Sequence, residues 1–224
     1  MPVTELPEDT LAELLDQLGG IPAHRVLFKP TPGTATEADV TAALHRPRKQ
    51  ICELIDGTLV EKAMGNRESA LGAYLLGRLA LHVQREELGL LLGEAGHIRV
   101  PIGNLRAPDV TFVPWSAFPD GAIPEDEAYW SVAPGLIVEV LSPGNTTSEI
   151  DRKLQELFAA GCQLAWVIDP QSHTAKVYTS PKTFQELDAS GTLDGSPVLP
   201  GFTLPLADLF AATTRRTTKR SGGA

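Results

Sequence analysis

The sequence predicts a mixed α/β (α+β) fold, in which helices flank a sheet with both parallel and antiparallel strands. Three observations lead there. "ICELIDGTLVEKA" (residues 51–63) alternates apolar and polar residues on either side of Asp56-Gly57, which is a hairpin signal. "PGLIVEVLSPG" (134–144) is an apolar run bounded by Pro and Gly, as in a buried strand. A helical segment and a second apolar run, "LAWVIDP" (164–170), follow it, giving a strand–helix–strand unit. Hairpins first and a crossover unit later require a mixed sheet.

The elements follow in order. Leu11, Leu14, Leu15 and Leu18 recur at helical spacing over residues 8–18. "TPGTATEADVTAALHRP" reads as a turn and a second short helix that ends before Pro47. Asn66 can cap a long helix to about Glu87, with Leu71, Leu75, Leu79 and Val83 as its stripe. "LGLLLGEAGHIRVPIG" suggests two strands and "APDVTFVP" a third. Residues 114–134 form a long connection with four prolines. Thr146 or Thr147 can cap a helix to about Ala160, with Gly161 at the stop. "AKVYTS" is a further strand, and "DGSPVLPGFTLPLADLF" ends in a short helical turn. The expected organisation is an N-terminal helical extension over 1–48, a core domain over 49–211 and a flexible basic tail over 212–224.

Composition narrows the function. The 224 residues carry 19 basic and 28 acidic side chains, a net charge of −9, which disfavours non-specific coating of nucleic acid. No apolar run reaches the length of a membrane span, and the acidic start does not resemble a secretory signal. Cys52 and Cys162 lie far apart and read as reduced core residues, so a cytoplasmic location is expected. No HExxH, GxSxG, Walker loop or GxGxxG is present. A spatial Ser–His–Asp triad leaves no such local signature.

The chemistry centres on acids in apolar strands. Glu139 shares a strand face with Ile137 and Leu141, and an isolated buried carboxylate must be neutralised, paired or bound to a metal. Asp109 opens another apolar strand after Pro108. Two such acids on neighbouring strands suit a hard cation such as Mg2+. Lys153 flanks the Ile150, Leu154, Leu157, Phe158 stripe of its helix and can reach the sheet edge along its stem. Each residue also has a structural reading: Glu139 paired with an arginine, Asp109 capping a turn, Lys153 on an exposed flank. Glu68 in the first turn of the long helix offsets the helix dipole or turns toward the core. Arg106 either contacts a phosphate or pairs with an acid. Glu53 reads as a hydrogen-bonded structural acid and Asp169 as a turn residue. Arg67, Arg78, Arg99, Arg106, Arg152 and the tail are candidates for a basic groove.

"CELIDGTLVEKAMGNRESALGAYLLGRL", "RAPDVTFV", "LIVEVLSPGNT", "KLQELFAAGCQLAWVIDP" and "VLPGFTLPLADLF", in this order, resemble the Uma-two family of restriction-type endonucleases in the PD-(D/E)xK superfamily. The resemblance implies a restriction-endonuclease-like core. It implies Asp109 and Glu139 as Mg2+ ligands, with Mn2+ as an alternative, and the backbone carbonyl of Val140 as a further ligand. It also implies an acid or histidine of the long helix at the metal, and Glu68, which stands where many relatives have a histidine, is that candidate ligand. The lysine two residues after the second acid is absent, since that position is Leu141, and Lys153 on the next helix matches the relocated cation. DNA as substrate, Arg106 as a phosphate contact and a homodimer cutting both strands complete the expectation. Two rivals stand beside it: a nuclease fold serving only as a binding or regulatory module, and a carboxylate pair acting on a sugar.

Overall fold

The structure, a computed structural model, describes residues 10–213. The basic run expected to form the tail lies outside the described residues. Helix α1 (Leu11–Gln17) begins at Thr10, whose hydroxyl accepts the Glu13 N–H while the Glu13 carboxylate accepts the Thr10 N–H. Strand β1 (Val26–Leu27) and helix α2 (Glu37–Leu44) precede the hairpin of β2 (Cys52–Ile55) and β3 (Thr58–Glu61). Asp56 and Gly57 both have positive φ, as a two-residue hairpin turn requires. Helix α3 (Asn66–Arg85) leads to β4 (Gly89–Gly93), β5 (Ile98–Arg99), β6 (Leu105–Arg106) and β7 (Val110–Pro114). The long connection then reaches β8 (Leu136–Val140), α4 (Thr147–Ala159) and β9 (Leu164–Asp169). Strands β10 (Thr174–Ser180), β11 (Thr183–Leu187), β12 (Thr192–Asp194) and β13 (Thr203–Pro205) precede α5 (Leu206–Ala211).

The main sheet has six strands in the order β11-β10-β9-β8-β7-β4. Only β8 and β9 run parallel, joined through α4, and the other neighbours are antiparallel. The mixed sheet is therefore as expected. Strand alternation gives the sheet two apolar faces. Val110, Phe112, Leu136, Val138, Val140, Leu164, Trp166 and Ile168 pack with Leu71, Leu75 and Leu79 of α3 and with α5. Ile137, Ala165, Val167 and Val113 pack with Ile150, Leu154 and Leu157 of α4 on the other side. Glu139 lies on this second face, one alternation beyond Ile137. Burying one Leu or Ile here contributes about 1.5–3 kcal/mol, so α4 is held firmly against the strand that carries the acid.

A second, antiparallel sheet has the order β1-β3-β2-β6-β5, and β12 pairs with β13. Register fixes its faces. Glu53 lies opposite Val60, so Glu53, Ile55, Val60 and, two residues on, Lys62 share one side. Leu105 lies opposite Leu54, which puts Arg106 on the Glu53 side.

Several elements differ from expectation. The N-terminal extension is not purely helical, because β1 pairs with β3. Strand β11 departs from expectation: "TFQEL" is almost wholly exposed, and its ladder with β10, the Phe184 contact with Tyr178 and Lys176, and the packing of Leu187 order it at the sheet edge. The α3 cap is Gly65 rather than Asn66. The Glu68 carboxylate folds back over Gly65, into the space that a Cβ there would take. Cys52 and Cys162 are both free and buried. Among the described residues no helix is long and apolar enough to cross a membrane.

Candidate active site

Strands β7 and β8 bring the two acids together. Val110 pairs with Val138 in an antiparallel ladder, and Asp109 N–H donates to Val138 O at 3.0 Å. The ladder ends there, and Asp109, one residue outside it, lies close enough to Glu139 for their charges to repel, so the pair needs compensation. Asp109 Oδ2 accepts the Val140 N–H at 2.7 Å, and Oδ1 accepts from Lys62 Nζ at 2.9 Å. Glu139 Oε1 lies 2.5 Å from Lys153 Nζ, yet outside the direction of a good hydrogen bond, and is left without a hydrogen-bond partner.

Lys153 reaches the acids from α4. The N-terminus of α4 is set by a capping box: Thr146 Oγ1 accepts the Glu149 N–H and the Glu149 carboxylate accepts the Thr146 N–H. Three oxygens surround the Lys153 ammonium, namely Glu139 Oε1, Glu53 Oε1 at 2.7 Å and Ala107 O at 3.1 Å. The ammonium is thus enclosed by oxygens where it stands.

Electrostatics separates the acids. Burial pushes the Glu139 carboxyl up, to about 7; Lys153 pulls against this, and Asp109 adds repulsion. Burial alone would also raise Glu53, but Lys153, Arg106 and the Ala107 N–H outweigh it and hold Glu53 well below the usual carboxylate range. Burial disfavours the Lys153 charge, but Glu139 and Glu53 outweigh it and hold its pKa above the ordinary lysine value.

Asp109, Glu139, Val140 and Lys153 line one small cavity of about 10 Å3, the room of a single water-sized sphere. Arg25, Glu53, Lys62, Asn145 and Glu149 complete its polar wall. Arg25 forms a bidentate pair with Glu149 at 2.6 and 2.9 Å and donates to Glu61 O and Gly144 O. It thereby ties the hairpin end to the loop before α4. An open groove of about 280 Å3 lies outside, with Arg25 and Lys62 on its wall as well.

Two sequence expectations take a different form. Arg106 is only 1% exposed and is held by Glu53 at 2.9 Å and Glu156 at 2.5 Å, so it has no face for a substrate phosphate. Its role here is to neutralise acids beneath the cavity. Glu68 stands one turn before Gly72, where a Cβ would lie 3.8 Å from Asp109 Cβ, but its carboxylate turns back over Gly65 and does not line the cavity. The expected basic groove is also thinned. Arg99 is paired with Glu37 and Glu127, and Arg152 with Asp56 and Glu156, which leaves Arg67 and Arg78 exposed on α3. Asp169 accepts the Gln171 and Ser172 N–H groups, as a turn residue does.

Lys62 and Arg25 went unread in the sequence. Hairpin register about Asp56-Gly57 could have put Lys62 on the Glu53 face. Nothing local signals that Arg25 crosses to Glu149.

A family model described as "Putative restriction endonuclease", Uma2, matches residues 38–207. The chain belongs to the Uma2 family. Arg25 lies before the matched span, so this Uma2 chain completes its cavity with a residue from outside it. A search of curated proteins finds no match. Among solved structures, the chain is similar to a nuclease described as putative, belonging to DUF820, from Anabaena variabilis ATCC 29413. The two share 22% identity over 76% of this chain and 96% of that one, with a TM-score of 0.65. At that identity the likeness is one of fold.

The donors are of the kind a hard cation takes: they are oxygens, Glu139 Oε1 is buried and makes no hydrogen bond although it is ion-paired with Lys153, and four carboxylates face three cations around the cavity. Among the described residues no group of three or more His, Cys, Asp or Glu side chains stands ready as a ligand set.

Proposed function

We propose that this Uma2 protein is a Mg2+-dependent phosphodiesterase, with Mn2+ as a substitute, that hydrolyses DNA as an endonuclease. The observation that carries the reading is Asp109 and Glu139 together at one ion-sized cavity, with Lys153 against Glu139. Asp109, Glu139 and the Val140 carbonyl would hold the cation. Bound there, such an ion lowers the pKa of a water and offsets charge on a phosphoryl group. Lys153 holds Glu139 and Glu53 apart, and Arg25 fixes the Ser142–Asn145 loop over the cavity. The open groove beside Lys62 and Arg25 gives a phosphate backbone a path to the acids. A two-fold dimer suits cleavage of both strands, and light scattering tests it.

A binding module without catalysis is the second reading, favoured by the lysines already seated on both acids. The cavity, with no aromatic lining and room for about one water, does not favour a sugar ring. The deciding experiment is plasmid cleavage with Mg2+ or Mn2+, a chelator control, and the Asp109→Ala and Glu139→Ala variants. Metal-dependent nicking lost in both variants is the expected result. No cleavage of any DNA form by folded protein, with chelator-insensitive DNA binding, moves the conclusion to the binding module.

A further inference from the structure

The two lysines of the cavity differ in how they are held. Lys153 is enclosed by three oxygens and anchored through the packed stripe of α4. Lys62 has one acceptor among the described residues, Asp109 Oδ1, so donors of its ammonium remain for other groups. Each Asp109 oxygen already accepts one bond, Oδ2 from the Val140 N–H and Oδ1 from Lys62, and each keeps a second lone pair. A cation that ligates Asp109 at either oxygen therefore comes within a few Å of the Lys62 ammonium. Two positive groups a few Å apart repel, and a low-dielectric pocket strengthens the repulsion. Lys62 has somewhere to go, since it lines the open groove as well as the cavity. Its backbone is pinned by the Lys62 N–H to Ile51 O bond of 2.9 Å, so the side chain alone moves.

We infer that Lys62 is a resident counter-ion that a divalent cation displaces from Asp109, and that the freed ammonium then contacts substrate phosphate in the groove. The inference rests on the metal-dependent reading above. It gives Lys62, not Lys153, the direct contact with substrate.

The signature is a pair of effects of opposite sign. Lys62→Met removes the competitor, so Mn2+ binding followed by electron paramagnetic resonance should tighten by about tenfold, the equivalent of one pKa unit of charge interaction. The same variant should hold a short DNA duplex in Ca2+ more weakly, with a salt slope shallower by about one phosphate contact. Circular dichroism checks that the variant is folded. If the wild type binds Mn2+ and Lys62→Met binds it no better, the displacement is overturned while the metal reading stands. If neither binds Mn2+, the metal reading fails and takes the displacement with it. If metal binding tightens but duplex affinity and salt slope are unchanged, the phosphate contact is overturned. If the wild type holds no duplex, the DNA reading fails, and the Mn2+ titration still decides the displacement.

Discussion

Two clusters of buried charge meet at Lys153, and they are built differently. Beneath the cavity, Arg106 bridges Glu53 and Glu156, Glu53 also accepts the Ala107 N–H, and Glu156 also accepts from Arg152 and Asn104. Its loose end is Arg106 Nη2. Above it, Glu139 Oε1 touches Lys153 without a hydrogen bond, and Asp109 repels it from just beyond the end of the ladder. Both clusters are buried. Burial therefore does not tell a structural acid from a chemical one here, whereas satisfaction does. Glu53 is held ionised, and Glu139 is pushed up to about 7 by its burial, against the pull of Lys153.

The largest effect should come from breaking the satisfied cluster. Arg106→Met leaves Glu53 and Glu156 buried with one cation fewer, which should cost about 3–5 kcal/mol of stability by urea unfolding. A loss below about 1 kcal/mol would mean that Lys153 and Arg152 suffice, and the contrast with the upper cluster would collapse.

Glu139→Gln should act the other way. It keeps the shape and removes the charge, so metal-dependent cleavage should fall about a hundredfold or more, in line with the several kcal/mol that a bound metal supplies. Stability should not suffer alike. Between its ordinary 4.5 and about 7 the folded Glu139 holds a proton that the unfolded chain has released. Its contribution to stability therefore falls as pH rises through that window. Glu53 has the opposite sign: its contribution is present above its ordinary value of 4.5 and is lost only as pH falls toward its lowered folded pKa. Unfolding measured across the window should show a fall in the wild type that Glu139→Gln flattens and saturating Mg2+ also flattens. A fall left intact in the variant would assign it to another group.

These contrasts were only partly legible in the chain. Alternation of apolar residues put Glu139 with Ile137, and the structure keeps them on the α4 face. The helix start at Thr146 and the stop at Gly161 followed from local cap chemistry, and both are present. Partnership between strands was not legible. Nothing in "APDVTFV" says that it pairs with "LIVEV" so as to bring Asp109 beside Glu139. For the same reason the sequence left Arg106 open between a phosphate contact and an acid pair, since its partners lie 50 and 53 residues away in sequence. Long-range ion pairs leave no periodicity, and Arg25 with Glu149, 124 residues apart, is the extreme case.

Glu68→Ala should have the smallest effect and sharpens the contrast at its edge. Glu68 is in the first turn of α3, where a carboxylate offsets the helix dipole and contributes about 0.3–1 kcal/mol. It folds back over Gly65, so the variant should lose that much in urea unfolding and nothing at the cavity. Mn2+ affinity should stay within about twofold of the wild type, less than half a pKa unit of interaction. A tenfold loss would mean that the carboxylate swings past Gly72 to Asp109 when a cation arrives. The start of α3 would then belong to the under-satisfied cluster, and Gly65 would serve as the pivot that lets Glu68 leave its resting place.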